Sequence, residues 1–345
     1  MGEGFVNRKT YVDLVKVFAI LGVIYNHIPG AFCSFQNNSN LILNVIQIFL
    51  SILCKAGVPL FLMCSGALLL EKQRSVSSLM KRIIKYIAIL IGFTLLYYLM
   101  LCIVENSTFD LRWILPYMYS NRTFGYSGAY WFLYAYIGFL VISPMLCAIV
   151  NHLSDELLLY FQFVIVLIYF AIPLFERVFQ VGPLAIDIPI LYSEFCIYPM
   201  IGYLIDKEKI LKSKRSFIIL NVLGIIIMGL NIMVSYKSIS ANAFDESKLS
   251  YLGVILYATI FVNLKHLGSV IQSESLKGVL QKVGQVVLGI YLSHVFVLYM
   301  FDVIIAKYNI SLSYWMCLVE TGLVFLIGWM LATVVAFLRK VVKIR

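Results

Sequence analysis

Residues 12–28 read VDLVKVFAILGVIYNHI, a mostly apolar run that also contains Asp13, Lys16 and His27. A membrane-spanning helix needs about 20 predominantly apolar residues, and the flanking residues extend this run to that length. An ionised group near the centre of a lone membrane helix costs on the order of 3 kcal/mol. The run therefore predicts a membrane helix whose ionisable residues face the interior of a protein and not lipid.

The composition of the whole chain is that of a membrane protein. Its 345 residues are 62% apolar and only 13% charged, whereas about 25% of the residues of an average soluble domain are charged. Ten apolar runs occur, at residues 11–31, 44–70, 84–104, 129–150, 157–175, 184–205, 216–235, 250–266, 284–305 and 314–337. We therefore predict an all-α fold, a polytopic membrane helical bundle of about ten transmembrane helices. Residues 1–345 are expected to form one integral membrane domain in the cell membrane.

The basic residues predict the orientation of this bundle. The chain has 27 Lys and Arg against 17 Asp and Glu, a net charge of +10. Threading ten spans places nineteen of the basic residues on one side and six on the other, while Lys16 and Lys55 lie within apolar runs. The positive-inside rule then predicts that both termini are cytoplasmic. Because topology accounts for the charge, nucleic acid is not expected as a partner, and membrane lipids are.

The fifth and sixth runs are the weakest spans in this reading. They are interrupted by Pro173, Pro183, Pro189, Pro199, Asp187 and Glu194. Either run is a full span or a broken, re-entrant helix, which membranes tolerate where it is buried in protein. The seven cysteines are odd in number and lack C-x-x-C spacing, so we expect neither a disulfide framework nor a zinc site.

The polar residues of the first run form a pattern. Lys16 and His27 are eleven residues apart, which separates them by roughly 20° around a helix and about 16 Å along it. Both are therefore predicted to point into one cavity, with Asp13 three residues before Lys16 and able to pair with it. The alternatives are a lysine that reaches the interface and a histidine with a structural hydrogen bond. His294 in the ninth run raises the same question, and two histidines without a third ligand do not predict a metal site.

Five short segments form an ordered pattern along the chain. They are RKTYVDLVK at 8–16 continuing to His27, GVPLFLMCSG at 57–66, KRIIK at 81–85, YWFL at 130–133 with Pro144, and GIYLSH at 289–294. In this order they resemble acyltransferase family 3, the bacterial integral membrane O-acyltransferases that modify cell-envelope sugars. The family opens with a basic residue, ten positions and a histidine. This chain departs from the family pattern at two positions: Lys16 stands where Arg is usual, and Lys also replaces an Arg within 81–85. Arg can bind a phosphate bidentately and Lys cannot. Donor binding is therefore expected to differ in detail from that of the family.

The resemblance implies a reaction and a set of site residues. The donor is acetyl-CoA or another short acyl-CoA on the cytoplasmic side, and the acceptor is a hydroxyl of an envelope polysaccharide or lipid-linked sugar. The chain resembles the stand-alone form of the family, without an extracytoplasmic esterase-like domain. The catalytic residues implied are His27 as general base, Lys16 to contact the donor or orient the cavity, and Asp13 to hold Lys16. Arg82 and Lys85 are implied at the coenzyme A phosphates, and Ser65, Tyr130, Trp131, Glu194 and His294 along the cavity.

Several of these residues have a simpler interpretation. Arg82 and Lys85 also fit an ordinary positive-inside cluster, Ser65 a helix-packing contact, and Tyr130 and Trp131 an interfacial aromatic belt. The rival function is a transporter or flippase of a lipid-linked sugar or polysaccharide, since intramembrane Lys and His also serve proton-coupled transport. No metal is expected in either case.

Overall fold

A computed structural model describes residues 9–28, 31, 40–110, 112, 125–179, 181, 193–240, 253–310 and 313–343. Its helices are α1 (Thr10–His27), α2 (Leu41–Lys55), α3 (Gly57–Leu69), α4 (Val76–Val104), α5 (Trp131–His152), α6 (Asp155–Val166), α7 (Ile172–Phe179), α8 (Glu194–Asp206), α9 (Lys214–Ser240), α10 (Gly253–Val270), α11 (Glu274–Lys307) and α12 (Tyr314–Lys343). A 3-10 turn, Gly125–Tyr130, precedes α5, and a π-helical turn, Leu167–Ala171, joins α6 to α7. The described chain has no strand, so the all-α prediction is confirmed.

The membrane-spanning character of the bundle is also confirmed. Within the described residues, seven helical segments are long and apolar enough to cross a membrane: Leu41–Leu69, Val76–Val104, Gly128–His152, Lys214–Ile239, Gly253–Val270, Glu274–Lys307 and Tyr314–Arg339. The other three predicted runs correspond to α1, to α6 with α7, and to α8. Pro183 and Pro189, on which the broken-helix reading of the sixth run partly rests, lie outside the described residues.

The first helix is the centre of the bundle. It contacts α2, α3, α10, α11 and α12, and its Val15, Ala19, Ile20 and Ile24 are completely buried. By contrast, only 17% of the apolar stretch of α9 and of α12 is buried, so these helices lie at the periphery. Lipid therefore meets the apolar outer helices, while the polar residues of α1 meet protein.

Prolines in the spans are accommodated locally. Pro144 within α5 has no N–H to donate to the carbonyl of Leu140, and the Ser143 hydroxyl donates to that carbonyl at 2.8 Å instead. The π-helical turn before α7 ends immediately ahead of Ile172 and Pro173. Such turns let the hydrogen-bond ladder shift register where a donor is missing.

The predicted cytoplasmic loops meet at one end of the bundle, here called the basic end, where α1, α4, α9 and α11 begin. Ion pairs join Lys9 to Asp206 at 2.5 Å, Lys207 to Glu71 at 2.7 Å and Lys265 to Glu208 at 3.4 Å. The hydrogen bond from Lys207 holds the pKa of Glu71 below its usual value. The loops that the charge count assigns to one side of the membrane are therefore close together in space. Which side of the membrane they face remains a prediction.

Candidate active site

A cationic cavity of about 500 Å³ lies toward the basic end, between α1, α3, α4, α5 and α11. Four basic side chains line it: Lys16, Arg74, Arg82 and Lys85. No carboxylate is found among its described lining residues. Because charges of one sign on low-dielectric walls focus the field inside a cleft, this cavity is suited to a ligand with several negative charges.

Two adjacent residues of α3, Ser65 and Gly66, have different roles at this cavity. Ser65 lines the cavity and donates its hydroxyl to the Phe61 carbonyl at 2.8 Å. The next residue, Gly66, faces the backbone of α8, where an added Cβ would lie 1.8 Å from the Pro199 carbonyl oxygen. The sequence was compatible with either cavity lining or helix packing for these two small residues. In the structure Ser65 lines the cavity and Gly66 packs against α8.

Asp13 is placed behind the cavity wall. It is only 3% exposed and is not among the residues that line the cavity. Its carboxylate packs on Gly284 of α11, where a Cβ would come within 2.2 Å of Oδ1. Asp13 therefore helps to fix α1 against α11 and does not face the cavity that Lys16 lines.

A second cavity, the histidine cavity, has a volume of about 320 Å³ and lies near the opposite end of α1. Its polar lining includes His27, Lys55 and Glu194, and Trp131 contributes an aromatic wall. Glu194 is in the first turn of α8 and Lys55 is the last residue of α2. Trp131 is 37% exposed, and its ring packs on Phe195 at 6.3 Å. A carboxylate, an ammonium group and an indole in one cavity suit a neutral ligand with several hydroxyl groups.

Two imidazoles meet at the edge of the histidine cavity. The Nδ1 of His27 is 2.7 Å from the Val23 carbonyl oxygen, so Nδ1 donates to it. The ring of His294 lies 5.4 Å from that of His27 at 66°. His294 is fully buried and its Nδ1 donates to the Tyr291 carbonyl. Its Nε2 has no hydrogen-bond partner in the described part of the chain.

Phe132 and Tyr291 separate the two cavities and line both of them. Their rings are in edge-to-face contact with centroids 5.7 Å apart. The prediction that Lys16 and His27 share one cavity is therefore wrong. Lys16 lines the cationic cavity and His27 the histidine cavity, and Phe132 of α5 and Tyr291 of α11 stand at the boundary that the two cavities share.

The partition is held by two reciprocal hydrogen bonds between the 3-10 turn that precedes α5 and the middle of α11. The hydroxyl of Tyr291 donates to the Ala129 carbonyl, and the hydroxyl of Tyr130 donates to the Leu292 carbonyl at 3.0 Å. Tyr130 is only 2% exposed and lines neither cavity. Its ring is buried in packing, so of the predicted pair only Trp131 lines a cavity.

Comparison with known proteins decides the family. A family model described as an acyltransferase domain matches residues 9–339, nearly the whole chain. The chain belongs to acyltransferase family 3. It is therefore a multi-pass membrane acyltransferase that transfers groups other than aminoacyl groups. No curated protein and no solved structure matches it.

Two basic lining residues of this acyltransferase were missed by sequence reasoning. Lys55 lies in the histidine cavity, and the argument applied to Lys16, a lone charge within an apolar run, would have found it. Arg74 lies in the cationic cavity, but nothing in its short loop distinguishes it from other basic loop residues. The described residues contain no group of three His, Cys, Asp or Glu side chains placed to hold a metal ion.

Proposed function

We propose that this acyltransferase moves a short acyl group, acetyl in the simplest case, from acyl-CoA to a hydroxyl of an envelope polysaccharide or lipid-linked sugar. One observation carries the proposal: two cavities of opposite chemical character meet at a thin partition beside His27. A cationic cavity suits a polyanionic donor, and a cavity with mixed polar groups and an indole suits a sugar.

The donor is assigned to the cationic cavity. Its four basic side chains would hold the phosphates of coenzyme A, and the planar guanidinium groups of Arg74 and Arg82 can bind phosphate bidentately. Arg82 and Lys85 are three residues apart on α4 and line the same cavity. The thioester supplies the acyl group, and the reactive end would point away from the basic end, toward Phe132 and Tyr291.

His27 is assigned as the general base. Its Nδ1 proton is donated to the Val23 carbonyl, and Nε2 is the ring nitrogen assigned to accept the proton of the acceptor hydroxyl. As His27 takes that proton, the hydroxyl oxygen bonds to the acyl carbon, the carbon–sulfur bond breaks, and the proton passes from His27 to the departing thiolate. His294, packed against the His27 ring, is assigned as a positioning residue.

The acceptor is assigned to the histidine cavity. Trp131 offers an aromatic face to a sugar ring, and Glu194 and Lys55 offer an acceptor and a donor to its hydroxyl groups. On this assignment the acyl group passes between Phe132 and Tyr291 while the two substrates stay in separate cavities. A transporter would need the two cavities to exchange one substrate, and family membership favours transfer.

The proposal predicts that a variant of the cationic cavity changes only the donor KM and that a variant of the histidine cavity changes only the acceptor KM. In purified protein supplied with labelled acetyl-CoA and an envelope glycan extract, Arg82→Gln should raise the donor KM about tenfold or more, because a hydrogen bond to a charged group contributes about 1.5–3 kcal/mol. Its acceptor KM should not change. Trp131→Ala should raise the acceptor KM about fivefold, since an aromatic contact contributes about 1 kcal/mol, and should leave the donor KM unchanged.

Matched controls are available for both variants. Arg215→Gln removes an exposed charge at the basic end, and Trp315→Ala removes an exposed indole on α12; both should behave as wild type. If Arg82→Gln raised the acceptor KM, or Trp131→Ala the donor KM, the assignment of the two cavities would be wrong.

A further inference from the structure

A third cavity, here called the lateral groove, has a volume of about 270 Å³ and lies between α4, α11 and α12. Two cationic side chains, Lys85 of α4 and Arg339 of α12, are among its lining residues. No Asp or Glu is found in its described lining. Lys85 also lines the cationic cavity, so the groove borders the proposed donor site, but no other residue of the groove is assigned to the donor or the acceptor.

Beyond its two cations, the walls that α4 and α12 contribute to the groove are apolar, while α11 adds Gln285 and Ser293. On α4 the lining continues from Lys85 through Ile89 to Phe93, and on α12 it runs back from Arg339 to Leu331. The first and last residues of each wall are eight positions apart, which at about 1.5 Å per residue is about 12 Å along the helix. Both walls therefore run from a cation at the basic end toward the middle of the bundle, over a distance comparable to most of one lipid leaflet.

The floor of the groove is shaped by small residues. Gly289 of α11 lies against Ala332, where an added Cβ would be 2.7 Å from the alanine Cβ. Ala336, one turn further along α12, also lines the groove. The outer wall is open, since Leu331 is 41% and Val335 48% exposed. In a membrane these side chains face lipid, so the groove is accessible from the bilayer.

We propose that the lateral groove is a binding site for an anionic phospholipid. Lys85 and Arg339 would hold the phosphate at the interface, and one acyl chain would lie along Ile89 and Leu331 over the alanine floor. A basic pocket between membrane helices on the cytoplasmic side is the arrangement that recognises anionic headgroups. A soluble anion would contact only the two cations and would leave the 12 Å apolar walls of the lateral groove without a ligand.

Native mass spectrometry of the purified full-length chain in detergent tests this proposal. With added phosphatidylglycerol, the wild type should retain bound lipid, and phosphatidylcholine with the same chains should bind at least fivefold more weakly. Arg339→Gln should weaken phosphatidylglycerol binding about fivefold, because one basic residue near the surface contributes about 1 kcal/mol. Ala336→Trp should abolish binding because the indole fills the groove.

The controls separate charge and bulk from the groove itself. Lys282→Gln removes an exposed charge on α11 outside the groove, and Val334→Trp adds an indole on the lipid-facing side of α12; both should bind as wild type. Equal binding of the two lipids, wild-type binding by Arg339→Gln, or displacement of the lipid by millimolar inorganic phosphate would overturn the proposal. Arg339 is exposed, so its variant keeps the test valid if Ala336→Trp does not fold.

Discussion

The two imidazoles are held to different degrees by the residues around them. His27 lines a cavity and has one ring nitrogen bound to the backbone of its own helix. His294 is fully buried, and its ring lies against both His27 and Tyr291. The histidine that can meet a substrate is therefore supported by one that cannot, which is the arrangement expected of a base and a positioning group.

His294→Asn tests the positioning role. The Asn amide can still donate to the Tyr291 carbonyl, while the ring that packs on His27 is removed. We expect kcat to fall about tenfold, less than the roughly 10²–10⁴-fold that general-base catalysis itself contributes, with both KM values unchanged. An unchanged kcat in a stable variant would mean that His294 only packs against its neighbours and does not position His27. The thermal unfolding temperature in detergent is the control for folding.

The candidate site could be predicted in part from single residues. The eleven-residue spacing places Lys16 and His27 on one face of α1, and both do line cavities. What the spacing could not predict is the partition, because Phe132 and Tyr291 come from helices far away in the chain. In an apolar sequence, two more aromatic residues give no signal of their own.

Among the elements, the crossing of α3 and α8 determines how the two cavities are related. An added Cβ at Gly66 would meet the Pro199 carbonyl, and one at Gly202 would lie 2.2 Å from the Met63 carbonyl. Such close backbone approach through small residues is typical of membrane helix pairs. Since α3 provides Ser65 to one cavity and α8 provides Glu194 to the other, this contact fixes their separation.

Gly66→Ala should therefore destabilise the protein. The methyl group would collide with backbone, which cannot move aside as a side chain can, so we expect a loss of at least about 1–3 kcal/mol. Thermal unfolding in detergent would show it. Gly138→Ala in α5 is the control, because no atom lies within 4 Å of its added Cβ; a similar loss there would contradict the packing explanation.

Helix existence was easier to predict than helix continuity. All ten apolar runs overlap described helices, because hydropathy over a long run leaves the backbone no other way to satisfy its hydrogen bonds in lipid. The run at 44–70, however, is divided after Lys55, just before Gly57 and Pro59. Proline is favourable near the start of a helix. Pro59 therefore indicates that a new helix begins there, which a hydropathy average does not take into account.

For the molecule as a whole, the net charge of +10 is distributed so that one end is basic, and that end also holds the cationic cavity. Arg74, Arg82 and Lys85, which contribute to the predicted topology, are thus also among the residues proposed to bind the donor. Composition could predict the surplus of charge, but only the fold shows that four of the basic side chains turn inward to one cavity.

The orientation can be measured by cysteine labelling in intact cells. A membrane-impermeant maleimide should label Lys307→Cys, at the end opposite the basic end, without permeabilisation. It should label Glu274→Cys, at the basic end, only after permeabilisation, since nineteen basic residues are predicted on the cytoplasmic side. The parent chain is the control for native cysteines, and the reverse pattern would invert the assignment of the donor side.

The most direct test of the central claim is transfer of labelled acetyl from acetyl-CoA to an envelope glycan extract by the protein purified in detergent, where no transmembrane gradient exists. The wild type and the loop-end variant His152→Gln should label the glycan, and His27→Gln should lose about 10²–10⁴-fold in rate while remaining folded. Wild-type labelling by His27→Gln would contradict the assignment of the base. No labelling by the wild type with any short acyl-CoA would contradict the proposed reaction itself.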